Sequence, residues 1–176
     1  MPELWAWRHP RAEGAAGRCI GRTDLPVDAR RAKRLAHRIR ATARRHGLPR
    51  TAWVSPLQRA RAVGRWLARW GWRVQVDARL AELDFGRWDG QPWDRIAWAE
   101  VEAWQADLLH HAPGGGEPLA ALAARVQAFV AEHDGPAIVV THGGWLNALR
   151  LPADARTLAA ADWPAPPPHA SLTRWR

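Results

Sequence analysis

The feature that most constrains this chain is the repeated succession of a short apolar run, a turn carrying His, Ser, Pro or Gly, and an amphipathic stretch. Leu4 to Trp7 leads into Arg8-His9-Pro10, Thr51 to Val54 into Ser55-Pro56, and Ala137 to Val140 into Thr141-His142-Gly143-Gly144. Runs of four apolar residues bounded by turn signals suit strands buried on both faces. Strands alternating with helices predict an α/β sandwich with a mainly parallel sheet. At 176 residues, 47% of them hydrophobic, the chain is read as one domain over residues 1–176.

The helices follow from local signals. Asp28 is placed to cap a helix over about residues 29–46, with Ala32, Leu35, Ala36, Ile39 and Ala43 on one stripe and Gly47 as the stop. Ser55-Pro56 reads as N-cap and first helical residue of a helix running to about Trp70. Arg73 to Val76 is expected as an edge strand, residues 93–109 as a Trp-rich helix, and Pro118 as the start of a helix burying Leu119, Leu122, Val126, Phe129 and Val130. Trp145 to Arg150 reads as a helix opening and residues 170–176 as a last strand.

Charge is distributed unevenly. The chain carries +9 overall, but residues 1–79 hold 19 basic and 5 acidic side chains, a net of +14, and residues 80–176 hold 7 and 12, a net of −5. Such a half suits a phosphorylated small molecule as well as a nucleic acid. Only Lys33 is lysine, and the heavy use of Arg, Ala, Gly, Pro and Trp matches residues with GC-rich codons, which weakens the argument for nucleic acid. A lone cysteine, Cys19, excludes an internal disulfide and two-Cys zinc patterns. With no signal-peptide pattern and no apolar run approaching about 18 residues, a cytoplasmic protein without membrane contact is expected. Nothing in the sequence fixes an oligomeric state.

In open α/β sheets, ligands bind beyond the carboxyl ends of the strands. Both His9 and His142 fall there. Arginine matches phosphate oxygens with a planar fork, so an Arg beside His9 and another on the helix after Ser55-Pro56 could hold a phosphoryl group in line with an imidazole nucleophile. Phosphoryl transfer asks mostly for positioning and charge stabilisation.

Four segments in order, Arg8-His9-Pro10, Ser55-Pro56-Leu57-Gln58-Arg59-Ala60, residues 82–90 from Glu82 to Gly90, and Thr141-His142-Gly143-Gly144, resemble the histidine phosphatase superfamily, which includes the phosphoglycerate mutases. The resemblance spans about residues 3–150. It implies a three-layer α/β/α sandwich with one antiparallel strand, and a phosphomonoesterase that needs no metal or other cofactor. It further implies that His9 is the phosphorylated nucleophile, that Arg8, Arg59 and His142 bind the phosphoryl oxygens, and that Glu82 is the general acid and base.

Within the superfamily, residues 8–26 look most like the α-ribazole phosphatases of cobalamin synthesis. This implies α-ribazole 5′-phosphate as substrate, with Gly21 and Arg22 as further binding residues. The superfamily's commoner Gly and Asn near the nucleophile are replaced by Pro10 and Ala16, and backbone N–H groups from Cys19 to Gly21 are expected in their stead. Pro118 stands where a substrate-loop serine is usual. Broad sugar-phosphate hydrolysis and phosphoglycerate mutation are the alternative activities, and an Arg-rich nucleic-acid binder on the same fold is the alternative outside enzymes. Asp84 and Asp89 compete with Glu82 for the acid role, and His110-His111 has no partner at metal-ligand spacing. Of thirteen tryptophans, one of Trp88, Trp93 or Trp145 is expected at the substrate mouth.

Overall fold

The computed structural model describes residues 2–152 and 155–176. Five strands, β1 (Glu3–Arg8), β2 (Thr51–Val54), β3 (Arg73–Val76), β4 (Pro136–Thr141) and β5 (Leu172–Trp175), form one sheet in the order β3-β2-β4-β1-β5. All neighbours are parallel except β5, which runs antiparallel to β1. The inner strands are apolar without alternation because each face meets a helical layer. Trp5, Trp7, Ile138 and Val140 pack on one side against α1 (Ala29–His46) and α2 (Gln58–Arg69). Leu4, Ala6, Ala137 and Val139 pack on the other against α4 (Leu119–Ala131) and α5 (Gly143–Ala148). The expected three-layer α/β/α architecture is observed. Among the described residues no helix is long and apolar enough to cross a membrane.

α1 spans the predicted residues. Asp28 Oδ1 accepts from the Arg31 amide at 2.9 Å, and Gly47 closes the helix with φ 64°. Its buried stripe is the predicted one. The α4 stripe is also as predicted.

Three helices differ from expectation, α5 in opening at Gly143 rather than at Trp145. α2 begins at Gln58 rather than at Pro56, because the Ser55 hydroxyl is engaged by His142 and the Gln58 amide is capped from a distant loop, by Asp24 Oδ1 at 2.7 Å. The Trp-rich stretch is interrupted: a single 3-10 turn over Trp93–Arg95 precedes extended Ile96 and Ala97, and α3 covers only Trp98–Ala106. Ile96 is buried and anchors the break, whereas α3 buries no residue fully, so apolar content there does not form a helical stripe.

Candidate active site

Strand register assembles the site. Arg8 pairs with Thr141 across β1 and β4, and Val54 of β2 pairs with Val140. The residues after these positions, His9, His142 and Ser55, therefore emerge side by side; the His9 amide donates to the Thr141 carbonyl at 2.9 Å and the Ser55 amide to the Val140 carbonyl at 3.0 Å. Chain segments from both ends and the middle of the sequence meet at one sheet edge.

His9 is 5% exposed, and its Nδ1 lies 2.6 Å from the Pro10 carbonyl. A carbonyl only accepts, so Nδ1 carries the proton and Nε2 keeps its lone pair. Burial, then the Arg59 charge, pushes the imidazole well below its usual pKa, which keeps that lone pair available. His142 stands behind it, ring centroids 4.9 Å apart, fully buried. Arg59 Nε donates to His142 Nδ1 at 3.3 Å, so Nε2 is the protonated nitrogen and donates to Ser55 Oγ at 2.7 Å. Burial, followed by His9 and Arg59, lowers the His142 pKa well below its ordinary value.

Arg59, in the first turn of α2, is 1% exposed yet lines the cavity in front of His9. Its NH1 donates to the Thr23 carbonyl at 2.8 Å and NH2 to the Gly21 carbonyl at 2.6 Å. Arg8 donates to the Pro167 carbonyl at 2.6 Å, while its buried Nε has no partner among the described residues. Burial lowers the pKa of both guanidiniums, and the Glu82 charge opposes this.

Glu82 reaches the same cavity from the loop after β3. Its Oε1 accepts from the Leu83 amide and its Oε2 from the Gly144 amide, both at 3.0 Å. The two glycines after His142 sit in close quarters. A Cβ on Gly144 would stand 2.5 Å from Glu82 Oε1, and one on Gly143 would stand 2.6 Å from Pro166 Cβ and 3.2 Å from Arg8 Cζ.

Arg125 was not singled out by sequence reasoning, and Glu117 only as part of a segment resembling a substrate loop, yet they hold the Glu82 loop in place. Arg125 donates to the carbonyls of Arg79 and Ala81 at 2.6 Å, to that of Glu82 at 3.0 Å, and to both carboxylate oxygens of Glu117. The available signal was a lone arginine amid the apolar residues of α4.

The structure revises several expectations. Gly21 and Arg22 do not line the cavity. The Gly21 amide goes to Asp89 and its carbonyl to Arg59, and a Cβ there would lie 2.0 Å from the Leu83 carbonyl oxygen. Arg22 Nε donates to the Glu82 carbonyl at 2.8 Å. Both residues support the site from outside. The Cys19 amide is likewise taken, by the Gln91 carbonyl, so of the segment expected to replace the missing Asn only Ile20 lines the cavity, as Ala16 does.

Of the rival carboxylates, Asp84 accepts from the Gly86 amide in its own turn. Asp89 gathers the amides of Gly21, Arg22 and Thr23 and the Thr23 hydroxyl. Burial raises the Asp89 pKa, but the bonds from Thr23 and from the Arg22, Thr23 and Gly21 amides outweigh it and leave the pKa lowered. Trp93 lines the cavity, whereas Trp88 and Trp145 are core; Trp104 and Trp163, not expected there, also line it.

The cavity measures about 470 Å³. Its polar end holds Arg8, His9, Arg59 and Glu82, and the rest is walled largely by apolar side chains including Leu83, Phe85, Trp93, Trp104, Leu119 and Leu122. Among the described residues no three His, Cys, Asp or Glu side chains converge as metal ligands. Such a site can receive a phosphoryl group at its cationic end and an apolar or aromatic body beyond it.

Comparison with known proteins agrees with this geometry. The sequence matches the family described as Histidine phosphatase superfamily (branch 1) over residues 4–176. It is 35% identical over 119 residues to the glucosyl-3-phosphoglycerate phosphatase of Mycobacterium tuberculosis, an alignment taking in 55% of this chain and 49% of that protein. The chain thus spans about half the length of the curated relatives it matches. Among solved structures, TTHB049 from Thermus thermophilus superposes with a TM-score of 0.71 at 29% identity, covering 98% of this chain and 92% of that one. The native mycobacterial glucosyl-3-phosphoglycerate phosphatase superposes with a TM-score of 0.76 at 28% identity, covering 99% and 89%.

Proposed function

The chain belongs to the histidine phosphatase superfamily, and from that membership we propose that it hydrolyses phosphate monoesters through a phosphohistidine formed on His9, without a metal ion. The observation that carries the reading is the His9 imidazole itself, fixed by Pro10 in the tautomer that leaves Nε2 unprotonated beside the buried Arg59 and half-buried Arg8 guanidiniums. In the first step Nε2 attacks phosphorus, the ester P–O bond breaks, and the Glu82 carboxyl gives its proton to the departing alkoxide. In the second, the Glu82 carboxylate takes a proton from water, the hydroxide attacks phosphorus, and the P–N bond breaks to return His9 and release inorganic phosphate. Arg8 and Arg59 hold the phosphoryl oxygens and offset charge in both transition states. His142 bonds Arg59 and Ser55 as found, so its part in phosphoryl binding is carried chiefly through Arg59.

The favoured substrate is α-ribazole 5′-phosphate. Two features support it: the resemblance of residues 8–26 to α-ribazole phosphatases, and the aromatic wall of Phe85, Trp93 and Trp104, which suits a benzimidazole better than a polyol. The mycobacterial relatives favour glucosyl-3-phosphoglycerate as the second reading. Hydrolysis of p-nitrophenyl phosphate in EDTA, abolished by His9→Ala, tests the chemistry. A kcat/KM panel of α-ribazole 5′-phosphate, glucosyl-3-phosphoglycerate and 3-phosphoglycerate tests the substrate. Preference for either glycerate ester overturns the α-ribazole assignment and leaves the phosphatase reading standing.

A further inference from the structure

A third imidazole stands at the reacting centre. His169 lies on the cavity wall, its ring centroid 5.4 Å from that of His9 and tilted by 53°. It arrives there through an unusual turn. Ala170 has φ 59°, the only positive φ on a non-glycine among the described residues, a conformation that is strained for a residue with a Cβ. The turn is pinned from three sides: the Ala170 amide donates to the Arg8 carbonyl at 3.1 Å and the His9 carbonyl at 3.3 Å, the Arg8 amide donates to the Ser171 carbonyl at 3.1 Å, and Arg38 NH1 donates to the Ala170 carbonyl at 2.9 Å. Strain that persists at a site is held there by its surroundings, and here its result is an imidazole over the nucleophile.

The ring's orientation defines its protons. His169 Nδ1 donates to the His9 carbonyl at 3.3 Å, so Nε2 bears a lone pair and has no hydrogen-bond partner among the described residues. We propose that His169 is a further phosphoryl-binding residue, whose Nε2 takes a proton from solvent as a phosphoryl dianion enters and then donates to one of its oxygens. This deepens the phosphatase reading and rests on it.

The charges facing His169 are Arg8 at the end of β1, Arg11 on the following loop and Arg59 from α2, with Arg38 of α1 on the adjoining carbonyl; His9 is its ring neighbour and Glu82 shares the cavity. Burial, then Arg8, holds the ring down to about 4, so it rests neutral. A dianion between these cations cancels their field, which favours the imidazolium and supplies its partner. By linkage, a group protonated on binding strengthens affinity as pH falls through its bound-state pKa and loses that contribution above it.

Sulfate is the probe, because it stays dianionic across pH 5–9. Calorimetry in two buffers of different ionisation enthalpy counts the protons taken up. His169→Asn keeps an amide donor for the His9 carbonyl but does not titrate. We expect it to take up fewer protons than the wild type, by up to one, and to bind sulfate about 10-fold more weakly at pH 6, with the gap closing by pH 9. Equal proton uptake and parallel pH profiles overturn the proposal and leave His169 as a backbone support. In the wild type, the NMR titration midpoint of His169 should rise from about 4 to about 7 at saturating sulfate, the shift that a 10-fold effect at pH 6 requires; an unmoved midpoint overturns the proposal without reliance on a variant. Turnover of p-nitrophenyl phosphate by the wild type, measured alongside, separates failure of this inference from failure of the phosphatase reading.

Discussion

The Gly144 amide donates to Glu82 Oε2 at 3.0 Å, tying the proposed general acid to the turn that follows His142. A methyl at Gly144 would sit 2.5 Å from the other carboxylate oxygen. Gly144→Ala is therefore expected to displace Glu82 by about 1 Å and to lower kcat roughly 100-fold. Circular dichroism should remain that of the wild type, since the backbone there is ordinary helix. Unchanged kcat would remove Glu82 from the mechanism.

Covalent chemistry at His9 predicts an intermediate that can be weighed. Rapid quenching of the wild type with substrate should give intact protein carrying one phosphoryl group, labile in acid, on the peptide containing His9. With p-nitrophenyl phosphate, whose phenolate leaves without a proton, Glu82→Gln should let that species accumulate, because water loses its base. A quenched enzyme with no added mass would point instead to direct attack by water.

Arg125 and Glu117, each with a side chain 16% exposed, form a mostly buried pair at 2.7 Å. Removing one member leaves the other charge poorly solvated, so Arg125→Met should destabilise by about 3 kcal/mol in urea titration. The Ala81 carbonyl loses its donor at the same time, and those of Arg79 and Glu82 keep only Trp145 and Arg22, so kcat should fall about 10-fold even where the protein is fully folded. Glu117→Gln should retain more stability, since an amide can still accept from Arg125. A stability profile insensitive to both changes would show that the loop is held elsewhere.

Burial lowers the pKa of both His9 and His142 in the folded protein. An unfolded imidazole titrates near about 6.5 and so binds protons at a higher pH than either folded one. The stability due to keeping these rings neutral is therefore fully present above about pH 6.5 and is lost as pH falls below it. Urea midpoints measured between pH 5 and 8 should decline toward acid, and His142→Gln should flatten the slope. The acid limb of kcat/KM should lie below the usual imidazole range; a limb at or above it would mean that His9 is not held neutral by its surroundings.

Which parts of this arrangement were legible beforehand follows from the range of the forces involved. Asp28, Gly47 and the stripe of α1 were readable because capping and amphipathicity act within a few residues. The order of Arg8-His9, Arg59 and His142 pointed to the sheet edge where the structure brings them together. Glu82, too, lies on the cavity they share. Partners chosen by tertiary contact were not readable. Ser55 looked like a helix cap, and its hydroxyl does accept from the Leu57 amide, yet it also receives His142 Nε2, and the Gln58 amide is capped by Asp24. Gly21 looked like a ligand loop, yet its lack of a Cβ serves the close approach of Leu83. Trp104 and His169 carried no local mark at all, since one sits in a short helix without a stripe and the other in a proline-rich stretch. The break at Ile96 was hidden because the tryptophans around it imitate helical content.

The register between β1 and β4 has a bearing on how the chain comes to work during synthesis. The imidazole near the beginning gains its neighbours only when a strand made near the end slides in beside it. A product lacking β4 therefore holds His9 without Thr141 and His142 beside it, and the onset of hydrolysis can serve as a clock for the docking of that strand.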